Sequence, residues 1–405
     1  MSALVTPPPR RPRGLRAWAG TDWWLIGAVG ALLVVGSLLV WSATQSREDL
    51  TGGDGTAYLQ RHGVNIAIGA VLGWLVARTD HRQIRLWAPI IYTGSIVGLL
   101  CVFIPGVGAT INGSHSWLLL GGLSLQPAEF AKLGVVCGMA LVLAERTEAG
   151  LRTGMKDSDL LPVLGIAAVP ALLILGQPDL GTLMVMTAIV VGVLAMAGTR
   201  RRWMLALAAG AVTVVAVAIT TGVLKEYQLL RFQAFTDPSL DPRGAGYNTI
   251  QARIAIGNGG VTGQGLFHGS QTQAGFVPEQ HTDFVFTVAG EELGLLGAGA
   301  IIVLVAIVLW RALLIARRSA DLFGQLAAVG VCCWFGFQAF QNIGMCLGIM
   351  PVTGVPLPLV SYGGTSMFAT LMAVGLLLSI HRRSGAVRPS GSGPVVRTRL
   401  ERSRF

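Results

Sequence analysis

Charge is scarce in this 405-residue chain: only 12% of its residues are Asp, Glu, Lys or Arg, about half the share of an ordinary soluble domain. A water-soluble fold is thereby disfavoured. Cysteine is sparse as well. The five residues, Cys101, Cys137, Cys332, Cys333 and Cys346, sit in or at the ends of apolar runs without metal-ligand spacing, so they indicate neither a zinc module nor a disulfide framework. Buried packing is their expected role. The glycines of the segment from Gly244 to Gly294 form neither G-x-G-x-x-G nor G-K-[ST], and a nucleotide site is not supported. There is no convincing internal repeat. No cleavable signal is read at the start, because the first apolar run follows a basic tail and has the length of a full span.

What the chain does have is 52% hydrophobic residues, gathered in long runs from Trp23 to Ile380. Each run is long enough to cross a hydrocarbon core that needs about 20 helical residues. Ten spans are expected: Trp23–Ala43, Val64–Ala77, Leu86–Ile104, Pro127–Ala144, Leu160–Leu175, Leu180–Ala197, Trp203–Gly222, Phe284–Trp310, Leu322–Leu347 and Thr365–Ile380. The fold class is all-α, a polytopic membrane protein with a large extracytoplasmic loop, 223–283, between spans seven and eight. The formal charge of +10 is scattered between the runs rather than collected on one soluble face, which argues against nucleic acid as a partner. Arginines crowd the first tail, the linkers after even-numbered spans and the last tail. Only Arg47, Arg61, Lys225, Arg231, Arg243 and Arg253 fall on the other side, so the positive-inside rule places both termini in the cytoplasm. Residues 1–21 and 381–405 read as basic tails that hold topology and touch anionic lipid, the second of them disordered; residues 22–380 form the membrane domain.

Polar groups at the edge of hydrocarbon are costly, so those that persist are candidates for function. Gln126 to Lys132 opens the fourth span, with Glu129 and Lys132 three apart on one helix face. They form either a structural ion pair or a direct substrate contact. Asp179, in Gln177-Pro178-Asp179, has the same placement at the sixth span and reads equally as a helix cap. Asp283 lies between the polar turn Pro278–Thr282 and an apolar helix beginning at Phe284. A carboxylate half-buried at such a junction gains the basicity of a general base, although a plain N-terminal cap fits the same position. Glu291 and Glu292 lie two turns deeper, and at least one is expected to be structural. Pro351 to Gly364 holds three prolines and three glycines, so it is irregular backbone that lines a cavity or is buried in protein. Ser361 would need a base to act as nucleophile, and none is identified; the segment reads as a pocket wall. Spans four, six and eight run in one direction, which brings Glu129, Asp179 and Asp283 to the outer level of the bilayer, beneath the long loop.

From Asp22 to about Ile380 the chain resembles the SEDS family of bacterial shape and division proteins. The likeness rests on Ile111-Asn112-Gly113 with Trp117, Gln126–Leu133, Gly246–Gly265, Pro278–Gly294 and Pro351–Gly364. His268–Gln273 and Gly354–Pro358 look like the elongation (RodA) branch rather than the division (FtsW) branch. The resemblance implies a peptidoglycan glycosyltransferase of the bacterial plasma membrane that polymerises lipid II and releases undecaprenyl diphosphate. It implies a class B penicillin-binding protein as transpeptidase partner, alongside other elongation-complex membrane proteins. By the same carry-over, Asp283 is the essential acid and Glu129 with Lys132 the intramembrane charged pair. One departure stands out: a basic residue is common before the motif tryptophan, where this chain has Ser116. The remaining pocket candidates are Trp117, Asp179, Gln251, His281, Thr282, Ser361 and Tyr362. Lys132, Arg231, Arg243 or Arg253 would support the departing diphosphate; no cofactor is required, and a divalent cation there is an alternative. Two other functions compete, a lipid II flippase and a non-catalytic scaffold. Acids gathered at one face fit surface chemistry better than alternating access.

Overall fold

The computed structural model describes residues 21–111, 114–120, 123–150, 155–220, 231, 233–242 and 244–386. Nearly all of both tails, Lys225, Arg243 and the motif residues Asn112 and Gly113 lie outside the described residues. In hydrocarbon a backbone must satisfy its own N–H and C=O groups, so each apolar run becomes a helix. They are α1 Trp23–Gln45, α2 Ala57–Arg78, α3 His81–Cys101, α4 Pro127–Ala149, α5 Asp157–Gly176, α6 Leu180–Met196 and α7 Arg201–Thr220. The outer segment contributes α8 Ala245–Asn258, followed by α9 Val285–Glu292, α10 Gly294–Arg318, α11 Leu322–Leu347 and α12 Gly364–Ala386. Among these, α1, α3, α4, α5, α10, α11 and α12 are long and apolar enough to cross a membrane, and α6 is apolar but shorter.

The helix starts follow from local chemistry. Asp22, Asp80, Asp179 and Asp321 cap α1, α3, α6 and α11 by accepting N–H bonds from Leu25, Arg82, Thr182 and Gly324, which answers the orphan donors of a first turn. Pro127 opens α4, where its missing N–H costs nothing. The centre of the bundle is α4 and α11, whose apolar windows are 83% and 72% buried, against 22% for α3 and 28% for α10. Rim helices turn Leu86, Leu161, Leu172 and Leu295 outward, each more than three-fifths exposed, as a lipid-facing surface requires. Helices α2 and α12 approach each other closely at glycines. A Cβ added at Gly73 would stand 2.5 Å from the Leu371 carbonyl, and Gly375 meets Gly73 still more closely, the small-residue contact that lets membrane helices touch backbone to backbone.

Two features depart from the sequence reading. The span expected over Phe284–Trp310 is not one helix: it breaks at Leu293-Gly294, where Gly294 takes φ +64, a conformation an L side chain resists. The backbone groups freed there are taken by the glycine-rich outer segment. Leu295 N–H donates to Gly260 O (3.0 Å) and Leu296 N–H to Val261 O (3.1 Å), while Gln264 and Gly265 N–H donate to Glu291 O and Glu292 O (both 3.0 Å). The second departure is an antiparallel ribbon between α3 and α4, ordered β1 Gly108–Ile111, β2 Ser114–Leu120 and β3 Leu123–Leu125. It pairs Ala109 with Trp117 and Leu118 with Leu125, and the all-α reading does not anticipate it.

Candidate functional site

The first turns of α2, α6 and α12, the β-ribbon, Arg231, the Glu279–Asp283 turn and the Pro351–Gly364 loop enclose a cavity of about 1070 Å³. That is at the upper end of small-molecule pockets, room for a ligand larger than a single sugar. Asp283 lies on its wall. A tight turn sets it there: Glu279, at φ +52, lends one carbonyl to the N–H groups of Thr282, Asp283 and Phe284, at 3.2, 3.0 and 3.1 Å. Helix α9 begins only at Val285 and has no side-chain cap, so Asp283 is not the N-terminal cap that its position allowed. Its carboxylate Oδ2 lies 3.3 Å from where a Cβ on Gly354 would stand, and φ +70 there favours glycine. Burial, reinforced by the charge of Glu279, pushes the Asp283 carboxyl up to about 7, with Arg231 opposing. The group therefore exchanges a proton near neutrality.

Asp179 also lines the cavity, with its oxygens committed. They accept from Thr182 N–H (2.9 Å), Thr182 Oγ1 (2.8 Å) and Gln126 Nε2 (3.1 Å), so the capping reading holds for this acid. Trp117, Thr282, Tyr362 and Arg231 line the same space; Thr282 Oγ1 donates to Glu279 Oε2 at 2.9 Å. His281 stands just behind the wall. Its ring meets Tyr58 edge-on at 4.9 Å, its carbonyl accepts from Tyr362 N–H at 2.9 Å, and burial holds it below its ordinary pKa.

Glu129 and Lys132 lie beneath the site rather than on it. Both are buried, Lys132 Nζ donates to Glu129 Oε1 (2.7 Å) and Gln338 Oε1 (2.8 Å), and the ammonium faces the Trp334 ring at 5.0 Å. Ser361 is buried and accepts from Leu357 N–H at 2.8 Å, which closes its own loop. Gln251 and Arg253 are on α8 and line no part of the cavity, the Arg253 stem passing beside Gly348. Glu291 and Glu292 are both structural. Glu291 accepts from Gln271 N–H, Thr272 N–H and Thr272 Oγ1 at 2.7, 2.9 and 2.7 Å, and Glu292 from Ser42 Oγ at 2.6 Å. They hold the His268–Gln273 segment to the bundle.

Sequence reasoning passes over Arg61, Glu279 and the α11 amides. Arg61 lines the cavity from the first turns of α2 and lies 5.5 Å from the Tyr58 ring centre; the polar cluster Gln60, Arg61, His62 and Asn65 opening an apolar run was its signal. Among the described residues, no group of three His, Cys, Asp or Glu side chains is placed to hold a metal.

The arrangement has known counterparts. The family model of cell cycle proteins of the FtsW, RodA and SpoVE type matches residues 23–385. A probable peptidoglycan glycosyltransferase FtsW of Geobacter metallireducens is 36% identical over 354 residues, 87% of this chain and 92% of the relative. The peptidoglycan glycosyltransferase MrdB of Escherichia coli is 37% identical over 356 residues, covering 87% and 90%. A chain from a peptidoglycan synthase complex that coordinates polymerization and crosslinking superposes with TM-score 0.76 at 31% identity, over 91% of this chain and 99% of that one. On a family match that spans nearly the whole membrane domain, this chain belongs to the FtsW/RodA/SpoVE family of multi-pass membrane proteins, the SEDS family its motifs resemble.

Proposed function

We propose that the chain is a peptidoglycan glycosyltransferase that joins the disaccharides of lipid II into glycan strands during cell elongation. The observation that carries the reading is Asp283: a carboxylate on the wall of a large cavity, committed neither to a helix cap nor to an ion pair among the described residues. In this scheme Asp283 takes the proton of the acceptor sugar hydroxyl as its oxygen attacks the anomeric carbon of the donor. The bond from that carbon to the diphosphate breaks, and undecaprenyl diphosphate leaves. Arg231 and Arg61, both at the cavity, supply positive charge to the leaving group, or a divalent ion does so. Glu129 and Lys132 act as an internal strut.

Relatives named FtsW and MrdB match at nearly equal identity, so the elongation role rests on the His268–Gln273 and Gly354–Pro358 motifs. The likeness to a complex that couples polymerization with crosslinking supports a class B penicillin-binding protein as partner. We place the cavity at the outer face, with both termini in the cytoplasm. A single cysteine at Ser239, in a background without native thiols, is expected to react with a membrane-impermeant reagent in cells stripped of any outer barrier. Labelling only after lysis reverses the orientation. The activity is tested by giving purified protein lipid II in detergent, where flipping is not needed. Polymer is expected, and its absence from an otherwise intact preparation rejects the reading.

A further inference from the structure

Helix α11 crosses the core of the bundle carrying three fully buried amides, Gln338, Gln341 and Asn342. Amides at such depth are costly unless each donor finds an acceptor, and here the acceptors lie on irregular backbone or beside it. Gln338 Nε2 donates to Pro356 O at 2.8 Å, and Gln341 Nε2 to Thr353 Oγ1 at 2.7 Å. Asn342 is the one that reaches the acid. Its Nδ2 donates to Asp283 O and to Val355 O, both at 2.7 Å. The amide orientation is chemically determined, because the flipped form would set its oxygen against two carbonyl oxygens. The Asn342 oxygen has no hydrogen-bond partner among the described residues, so no acceptor role explains the residue.

Asp283 and Val355 are separated by 72 positions in sequence, and the single amide group joins them. On one side is the turn that aims the carboxylate; on the other is Gly354, the residue the carboxylate faces. We propose that Asn342 is a positioning residue of the transfer site, whose amide fixes the Asp283 carboxylate against the Thr353–Pro356 backbone. It touches no substrate. Its effect is to hold the base where the acceptor hydroxyl arrives, and a displacement of about 1 Å in such a group costs on the order of 100-fold in rate. This rests on the reading of Asp283 as the base.

The test separates donor from volume. Asn342→Leu keeps the size and shape of the side chain and removes both N–H groups; Asn342→Ser loses volume and keeps one hydroxyl donor. Full-length proteins are purified in detergent, their melting temperatures recorded, and kcat and KM for lipid II measured beside Asp283→Asn. A positioning role predicts a kcat loss of about tenfold for Asn342→Ser and about 100-fold for Asn342→Leu, with KM within twofold of the parent. A role in packing alone predicts the reverse order, with Asn342→Leu the more active. That order, or kcat within twofold of the parent in both variants, overturns the proposal. Should Asn342→Leu not fold, Asn342→Ser decides by itself: a fall in kcat at constant KM supports positioning, and unchanged kcat rejects it. An active Asp283→Asn protein would instead refute the base reading, an outcome distinct from inert Asn342 variants beside an inactive Asp283→Asn.

Discussion

The aspartates that precede the bundle helices are used differently at its two ends. At the end opposite the cavity, Asp22, Asp80 and Asp321 each perform two tasks. Every one caps a helix, and every one also meets a basic side chain from a different helix: Arg311 at 2.6 Å, Arg383, and His81 at 2.7 Å respectively. Helix α1 is thereby tied to α10, and α3 to both α11 and α12. At the cavity end Asp179 retains only the capping task and a neutral amide partner, and Asp283 does neither. Carboxylates that are fully engaged stiffen the fold, whereas the one left facing the cavity is raised in basicity at the expense of stability. The contrast marks which acids are available for chemistry.

The largest effect expected from breaking this contrast is at Asp283. Asp283→Asn should reduce polymer formation from lipid II by 10²–10⁴-fold, the usual worth of a general base, without unfolding the protein. The direction of the pH effect follows from the raised carboxyl. With a folded value of about 7 above the ordinary carboxylate value of about 3.9, the acid destabilises the fold increasingly as pH rises from about 4 to 7. Asn should therefore raise the melting temperature at pH 8 and make little difference below pH 4. A drop in melting temperature at pH 8 would assign Asp283 a structural task like those of the opposite end.

The opposite end should respond in the inverse manner. Arg311→Met leaves the buried Asp22 carboxylate uncompensated and is expected to cost roughly 3–5 kcal/mol, read as a lowered melting temperature, with activity per folded molecule retained. A loss of the same order is expected at the strut between the two ends. Lys132→Ala strands Glu129 in low dielectric, so it should damage activity and stability more than the double change Glu129→Gln with Lys132→Met. Equal and complete loss of activity in both, in stable proteins, would move this pair from support to direct chemistry.

The hydropathy of the chain made most of the helices legible, and the junction between Thr282 and Phe284 made Asp283 legible, because both signals are local. What escaped depends on contacts remote in sequence. The break at Gly294 is hidden within an apolar run, and its freed carbonyl and N–H partners lie some 30 residues upstream, at Gly260 to Gly265. Gln338, Gln341 and Asn342 are diluted in a 26-residue span, and nothing nearby announces that the Pro351–Gly364 loop folds back onto them. Ser361 sits within a motif that does reach the cavity, yet loop closure turns it elsewhere, and the motif that holds Gln251 and Arg253 contributes no residue to the cavity wall. The short ribbon was obscured because its strands, of four, seven and three residues, are too brief to carry a clear alternation.

The glycine crossing of α2 and α12 gives the cavity a mechanical character. Both helices start at the cavity rim, α2 presenting Arg61 and Asn65 and α12 presenting Gly364 and Thr365, and both run to the opposite end past the contact at Gly73 and Gly375. At that contact backbone is pressed on backbone, with the Leu371 side chain packed beside it against Gly69. This contact lies some 12 residues, or about 18 Å of helix, from Arg61. The two helices that frame this side of the mouth are therefore tied to each other beneath it, and any side chain placed at Gly73 or Gly375 would have to part them.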